Sequence, residues 1–398
     1  MDITLQPGKL SGNIAAIPSK SQAHRLLICA ALANSDTTLV CPDTNRDIEA
    51  TVDCLNALGA RIIRTDNGYD IDPIRCIPKT ADLNCCESGS TLRFMLPIVG
   101  ALGVDATFHM EGRLPQRPLS PLWEEMERMG CTLCRPSENT LQSQGKLRSG
   151  EYTISGSVSS QFITGLLYAA ALMDGESRIA VTGKLESAPY VTMTQNAMAM
   201  FGVDTTQLSI KSGQHFHSPG WVSVEGDWSN GAFWLAAKAL GSALTVNNLD
   251  ANSPQGDRKI VEFLRQLEDF AIIDATDTPD LVPILAITAG AKKGAKFINC
   301  RRLRLKETDR LNTTAAMIHA LGGIAQIEDD CLTVYGTGYR GGTVDALNDH
   351  RIAMSAGIAA TACSGPVTIL NAHEVQKSYP GFWEDYKKLG GNYELYLR

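Results

Sequence analysis

Positive charge is in short supply in this 398-residue chain: Lys and Arg total 36 against 43 Asp and Glu, a formal net charge of -7. That balance argues against a general polyanion binder such as a non-specific DNA protein, and it makes any anion site local. Long apolar runs are lacking too. The longest, LLYAAALM (166–173) and LVPILAITAGA (281–291), fall well short of the roughly 20 residues that span a bilayer. The opening MDITLQPGKL has neither the basic nor the apolar segment of a secretory signal, so the expectation is a soluble, cytoplasmic protein. A disulfide framework is not expected either. The 11 cysteines are odd in number, and several (Cys29, Cys54, Cys300, Cys363) lie in apolar segments that suit reduced core thiols. The single CxxC, Cys131 and Cys134, has no second pair and no nearby His, which argues against a metal centre.

What the chain has is a repeat. A helix-like apolar stretch, a small or polar break and a β-rich run recur six times, anchored at Lys20, Ser90, Ser160, Asp227, Asp280 and His350, with spacings of 70, 70, 67, 53 and 70. A second helix type interleaves and usually ends in Gly, at 59, 130, 202, 322 and 390, where a left-handed cap lets the chain turn into a strand. The expected fourth copy, DRKIVEFLRQLEDFAII, lacks that Gly. Units of about 70 residues with two helices and several short strands read as small βαβ-containing subdomains, three plus three in two α/β domains. The short fourth spacing and the turn-rich HSPGWVSVEGDWS place the junction near residue 222.

Polar residues collect at the N-terminal end of the apolar helices: Lys20 and Ser21, Gly89 and Ser90, Ser159 to Gln161, His350 and Arg351. Unpaired backbone N–H groups there carry partial positive charge and bind phosphate or carboxylate. Ser and Asp are also favoured N-caps, which accounts for Ser19 and Ser90 without a ligand. Capping does not ask for Lys20, Arg25, Gln161 or Arg351 in first turns, where cations oppose the helix dipole and call for an anion. Arg113 and Arg117 lie in a Pro-bounded loop, and Arg302, Lys306 and Arg310 recur at fourfold spacing, one helical face if that segment is helical. With Lys377 these cations suffice for two multiply charged small anions. Few carboxylates lie near them in sequence, chiefly Asp280 and Glu307, the natural proton carriers, which the positive field should keep ionised.

In order, PSKSQAHR, GSTLR, RLPQRP, SSQF, LESAPY, PD at 279–280, LKETDR, NDHR and QKSYP run from residue 18 to 380. Together they resemble the 5-enolpyruvylshikimate 3-phosphate synthase family. The resemblance implies a two-domain enolpyruvyl transferase fold, each domain three βαβαββ subdomains in an inside-out, barrel-like α/β arrangement, with the ligand cleft between them. It implies one domain at 13–222 and a second made of 1–12 plus 223–398. The implied reaction moves the enolpyruvyl group of phosphoenolpyruvate to the 5-hydroxyl of shikimate 3-phosphate and releases phosphate, with no metal or other cofactor. The partners implied are those two small molecules, with no nucleic acid and no membrane, and the chain is expected to be a monomer.

By the same resemblance, Lys20, Ser21, Arg25, Ser159, Ser160, Gln161, Ser187, Tyr190, Asp280 and Lys306 correspond to shikimate 3-phosphate ligands. Lys20, Gly89, Arg117, Gln161, Arg310, Arg351 and Lys377 correspond to the phosphoenolpyruvate clamp. Asp280 resembles the base for the 5-hydroxyl, and Glu307 and Lys20 the groups exchanging the C3 proton. Two positions depart from the pattern. Glu87 in CCESGSTLR stands where many members have Asn, and must turn away or pair, for instance with Arg93; Arg302 stands where relatives can have Asn. The sister transferase acting on UDP-N-acetylglucosamine is a weaker match, because its mobile loop carries a reactive Cys and HMEGRLPQRPLSPLW has none.

Overall fold

A computed structural model describes residues 1–396, which form two compact units, one built from Met1–Ile17 with the chain from Glu225 onward, the other from Pro18–Val224. Residues 13–17, expected in the first domain, belong with the other unit. Ser11–Ala15 pairs in parallel with Ala243–Asn247, from Ser11 opposite Ala243 to Ala15 opposite Asn247, so the ladder holds them there.

The apolar stretches are helices buried on nearly every side. In Pro18–Val224 they are Lys20–Ala31, Gly89–Leu102 and Ser160–Ala170. In the other unit they are Trp228–Ala239, Val282–Ala291 and His350–Ala359, which pack on one another. A helix apolar all round can only be interior, and each fully buried Leu or Ile contributes about 1.5–3 kcal/mol. The strands form the outer layer with one face inward: Thr80–Asn84 alternates exposed and buried along its length. Among the described residues there are six sheets of two to four strands, and none closes into a barrel.

The repeat is completed by exchange between chain ends. Thr80–Asn84, Asp105–His109, Thr140–Gly145 and Cys131–Ser137 form one full four-stranded copy, and Ala271–Asp274, Gly294–Ile298, Cys331–Tyr335 and Ile324–Glu328 another in the same order. The first copy takes its edge strand from Trp221–Ser223, parallel to Thr38–Val40. The sixth takes Asp2–Leu5 between Val367–Leu370 and Tyr393–Tyr396. The third has three strands and the fourth two. The repeat is thus degenerate in strand number, as its uneven spacings suggest. The short fourth spacing goes with a fourth sheet that has two strands among the described residues.

The five glycines ending second-type helices have φ between 78° and 115°, the left-handed turn expected of them. One close approach positions a site. Pro97 inside Gly89–Leu102 denies the Arg93 carbonyl its helical donor, and Gly165 packs directly on that carbonyl with no room for a Cβ. The two helices meet there, which brings Arg93 beside Gln161. No helix among the described residues is long and apolar enough to cross a membrane.

Candidate active site

In the Pro18–Val224 unit, Ser19 caps Lys20–Ala31 by accepting from Gln22 N at 3.4 Å, and Lys20 leaves the helix mouth to meet Asp47 Oδ2 at 2.8 Å. Asp47 stands in the first turn of Arg46–Ala57, where the helix dipole favours a carboxylate. Arg25 is not at the mouth. It is buried, and its Nε donates to Thr194 Oγ1 (2.8 Å), Nη1 to Ser21 O (2.6 Å) and Nη2 to Tyr190 O (3.0 Å), with the Tyr190 ring 6.0 Å away. Burial pulls its pKa down.

Ser88 caps Gly89–Leu102 through Thr91 N. A Cβ on Gly89 would lie 2.6 Å from Arg93 Nη1 and 2.8 Å from Arg117 Nη1, so two guanidiniums converge on a bare helix N-terminus. Arg93 Nη1 donates to Gln161 Oε1 (2.9 Å) and Nη2 to Pro118 O (3.0 Å), while Gln161 Nε2 donates to Ser90 Oγ (3.0 Å). Arg117 ends the short turn Leu114–Gln116, and Arg113 beside it is exposed. The Glu87 carboxylate lies against Gly112 in that loop. Ser159 caps Ser160–Ala170 by accepting from Gln161 N at 3.2 Å, and Ser160 is buried. Ser187 precedes Ala188–Met200 with φ 55°, a left-handed conformation that costs a serine roughly 1–3 kcal/mol and persists where its surroundings impose it.

In the other unit, Asp280, in the turn Pro279–Leu281, receives Lys306 Nζ at 3.0 Å and Arg310 Nη1 at 2.8 Å on Oδ1, and Arg351 Nη2 at 3.4 Å on Oδ2. Burial pushes its carboxyl upward, but Arg351, Lys306 and Arg310 outweigh that and hold it well below the usual carboxylate range. Burial likewise draws the Lys306 ammonium down, against the pull of Asp280. Arg310 is 1 % exposed and also contacts Glu307 Oε2 (2.5 Å) and both oxygens of Asp349 (2.8 and 3.2 Å). Burial opposes its charge, yet these carboxylates raise its pKa further. Asp349 is fully buried, caps His350–Ala359 by accepting from Arg351 N at 3.0 Å, and accepts from Thr308. Lys377 is buried at the end of the turn Ala372–Lys377, which packs on that same helix.

Two expectations need correcting. Arg302, Lys306 and Arg310 do not share a helical face, since Arg301–Leu305 is a tight turn and Arg310 opens a new helix, Arg310–Ala320. Nor are carboxylates scarce around the cations: Asp47 and Asp349, both passed over in the sequence, neutralise Lys20 and Arg310. For Asp349 the cap position before His350 was a usable signal.

Chemically, each unit offers buried or half-buried cations beside helix N-termini, a setting for phosphate and carboxylate. The family model described as EPSP synthase (3-phosphoshikimate 1-carboxyvinyltransferase) matches residues 5–278 and 265–386. Curated relatives named 3-phosphoshikimate 1-carboxyvinyltransferase, from Clostridium kluyveri and Clostridium novyi, are 38 % and 37 % identical over 98 % of this chain and 97 % and 98 % of theirs. Among solved structures, an EPSP synthase from Acinetobacter baumannii covers 100 % of both chains at TM-score 0.80 and 20 % identity. The enolpyruvyl transferase NikO from Streptomyces tendae covers 99 % of this chain and 98 % of its own at TM-score 0.75 and 18 % identity.

Proposed function

Because the chain belongs to the EPSP synthase family, we infer that it transfers the enolpyruvyl group of phosphoenolpyruvate to the 5-hydroxyl of shikimate 3-phosphate, releasing phosphate. The observation that carries the chemical reading is Asp280, a carboxylate held by three cations with Glu307 on the same arginine. In this state Asp280 is a weak base. An incoming phosphate or carboxylate that draws Arg351, Arg310 or Lys306 to itself removes charge that depresses the Asp280 pKa, so the base strengthens as the substrates bind.

In this reading Lys20, Ser21, Arg25, Ser159, Ser160, Gln161, Ser187, Tyr190, Asp280 and Lys306 hold shikimate 3-phosphate, and Lys20, Gly89, Arg117, Gln161, Arg310, Arg351 and Lys377 hold phosphoenolpyruvate. C3 of the enol gains a proton from Glu307 or Lys20 and C2 becomes electrophilic. The 5-hydroxyl, losing its proton toward Asp280, bonds to C2. The tetrahedral adduct then expels phosphate as C3 returns a proton and the enol double bond reforms. The cations stabilise oxygens that gain charge along the way. The same reading makes the protein a cytoplasmic monomer that uses these two small molecules and no nucleic acid or membrane.

Phosphate release tests it. With both substrates the protein should turn over, with either omitted it should not, and UDP-N-acetylglucosamine should not replace shikimate 3-phosphate. Release with the sugar nucleotide alone as acceptor would overturn the assignment.

A further inference from the structure

His24 sits one turn past Lys20 in Lys20–Ala31, wholly buried and without a place in the reading above. Its Nδ1 meets Thr51 Oγ1 at 2.7 Å, and Thr51 Oγ1 meets Thr91 Oγ1 at 2.7 Å. Thr91 Oγ1 in turn donates to Ser88 Oγ at 2.7 Å and, at 3.5 Å, to the Asp47 carbonyl. Water reaches none of these four side chains. The row crosses three helices of one unit, Lys20–Ala31, Arg46–Ala57 and Gly89–Leu102. It ends at two groups of the site: Ser88, which caps the Gly89 helix mouth, and Asp47, whose carboxylate pairs with Lys20.

A hydroxyl has one proton to give, and that fixes the direction of the row. The Thr91 proton goes to Ser88 Oγ and the Asp47 carbonyl, which can only accept, so Thr91 Oγ1 accepts from Thr51. With its own proton directed at Thr91, Thr51 accepts from His24, and the imidazole must carry its hydrogen on Nδ1. The other nitrogen leads to the same tautomer. Nε2 is buried with no hydrogen-bond partner among the described residues, and a bare lone pair there costs less than a stranded N–H. Burial lowers the His24 pKa to about 3; Asp47 pulls it up from Arg46–Ala57, while Lys20 and Arg25 push it down from its own helix, so the ring stays neutral.

We propose that His24 is a positioning residue for phosphoenolpyruvate, its Nδ1–H heading a row of hydroxyls that holds the Ser88 cap and the Asp47 turn in fixed register. Aligned hydrogen bonds in a dry interior polarise one another, so the donor at the head strengthens the links at the foot. Asp47 lies in the first turn of Arg46–Ala57, and fixing its carbonyl fixes where its carboxylate meets Lys20. Ser88 Oγ also accepts from Thr91 N at 3.2 Å, the bond that closes the first turn of Gly89–Leu102 and leaves the earlier N–H groups for an anion. Without His24, Thr51 can turn its proton elsewhere, and both helix mouths lose a restraint while the helices stay packed. This inference rests on the assignment of Lys20 and Gly89 to phosphoenolpyruvate.

Two measurements on the full chain test it. In ligand-free protein carrying 15N-labelled histidine, the imidazole signal that disappears in His24→Leu should show its proton on Nδ1 and should not titrate between pH 5 and 9. A proton on Nε2 reverses the row and overturns the proposal. The second measurement is KM for phosphoenolpyruvate at saturating shikimate 3-phosphate. His24→Leu, Thr51→Val and Thr91→Val each break the row, and each should raise this KM roughly tenfold with kcat changed by less than about threefold. His24→Asn, whose amide N–H replaces Nδ1–H, should stay within about threefold of wild type, and His24→Leu combined with Thr51→Val should be no worse than either alone, because both cut one row. Lower melting temperatures at unchanged KM would make the role purely structural, and an Asn variant no better than Leu would deny the donor; either result sinks the idea. If His24→Leu does not fold by circular dichroism, the nearly isosteric Thr51→Val decides. A wild-type protein that releases no phosphate would remove the functional reading and the positioning role with it, whereas a protonated Nε2 in an active wild type removes this inference alone.

Discussion

Lys20 meets Asp47 in a pair whose side chains are 16 % and 9 % exposed, close enough to the surface for a ligand to reach and dry enough for the charges to matter. A lysine that only capped a helix would be expendable. Lys20→Ala should lower kcat at least a hundredfold, the usual loss for a proton-transferring group, and should destabilise the protein by about 1 kcal/mol because Asp47 loses a partner. Phosphate release and urea unfolding on the same preparation check both numbers; a large stability loss with activity retained would mean a structural role. The residue scale also marks where sequence reading stopped. Lys20 and Arg351 were legible because cations at helix mouths run against the dipole, and Arg310 through its spacing from Arg302 and Lys306. Their carboxylate partners were not, because Asp47 is 27 residues from Lys20 and Asp349 is 39 from Arg310, separations that only the fold closes.

Helices carry these groups, and their caps are where architecture and site overlap. Asp349 both caps His350–Ala359 and holds Arg310 with its two oxygens, wholly out of solvent. Asn caps a helix nearly as well as Asp, so Asp349→Asn isolates the charge. The loss should be about 3–5 kcal/mol, typical of breaking a buried ion pair. Ser159→Ala, which removes a cap alone, should cost about 1 kcal/mol. Fluorescence of Trp228, Trp234 and Trp383, buried in the same unit as Asp349, reports the first, and equal losses in the two variants would refute the distinction. The six buried helices could be read directly, since an apolar stretch after a polar cap and before a β-rich run is a local signal. The strands completing the first and sixth sheets could not. Trp221–Ser223 finds Thr38–Val40 across nearly half the chain and Asp2–Leu5 finds Val367–Leu370 across almost all of it, and nothing in a short strand names its partner.

At the scale of the whole molecule, the chain is one unit inserted into another. Ile17 and Asp227 lie on either side of the insertion, yet Asp227 N donates to Ile17 O at 2.8 Å, so the outer unit meets itself where the inner one leaves and returns. Each unit has its own buried cluster, one running from Ala23 to Val224 and the other from Ile3 to Leu389. A continuous segment with its own core and three sheets satisfies the conditions for independent folding. The fragment Pro18–Val224 should therefore express as a folded protein with one cooperative thermal transition by circular dichroism. Ending the same fragment before Trp221 removes the strand paired with Thr38–Val40 and bares that edge, so it should melt lower and aggregate. The complementary chain, with Ile17 joined to Glu225 through two or three glycines, should fold as well, because its ends already meet. If Pro18–Val224 is unfolded alone but recovers when mixed with the complement, folding autonomy is wrong and each core depends on the other unit.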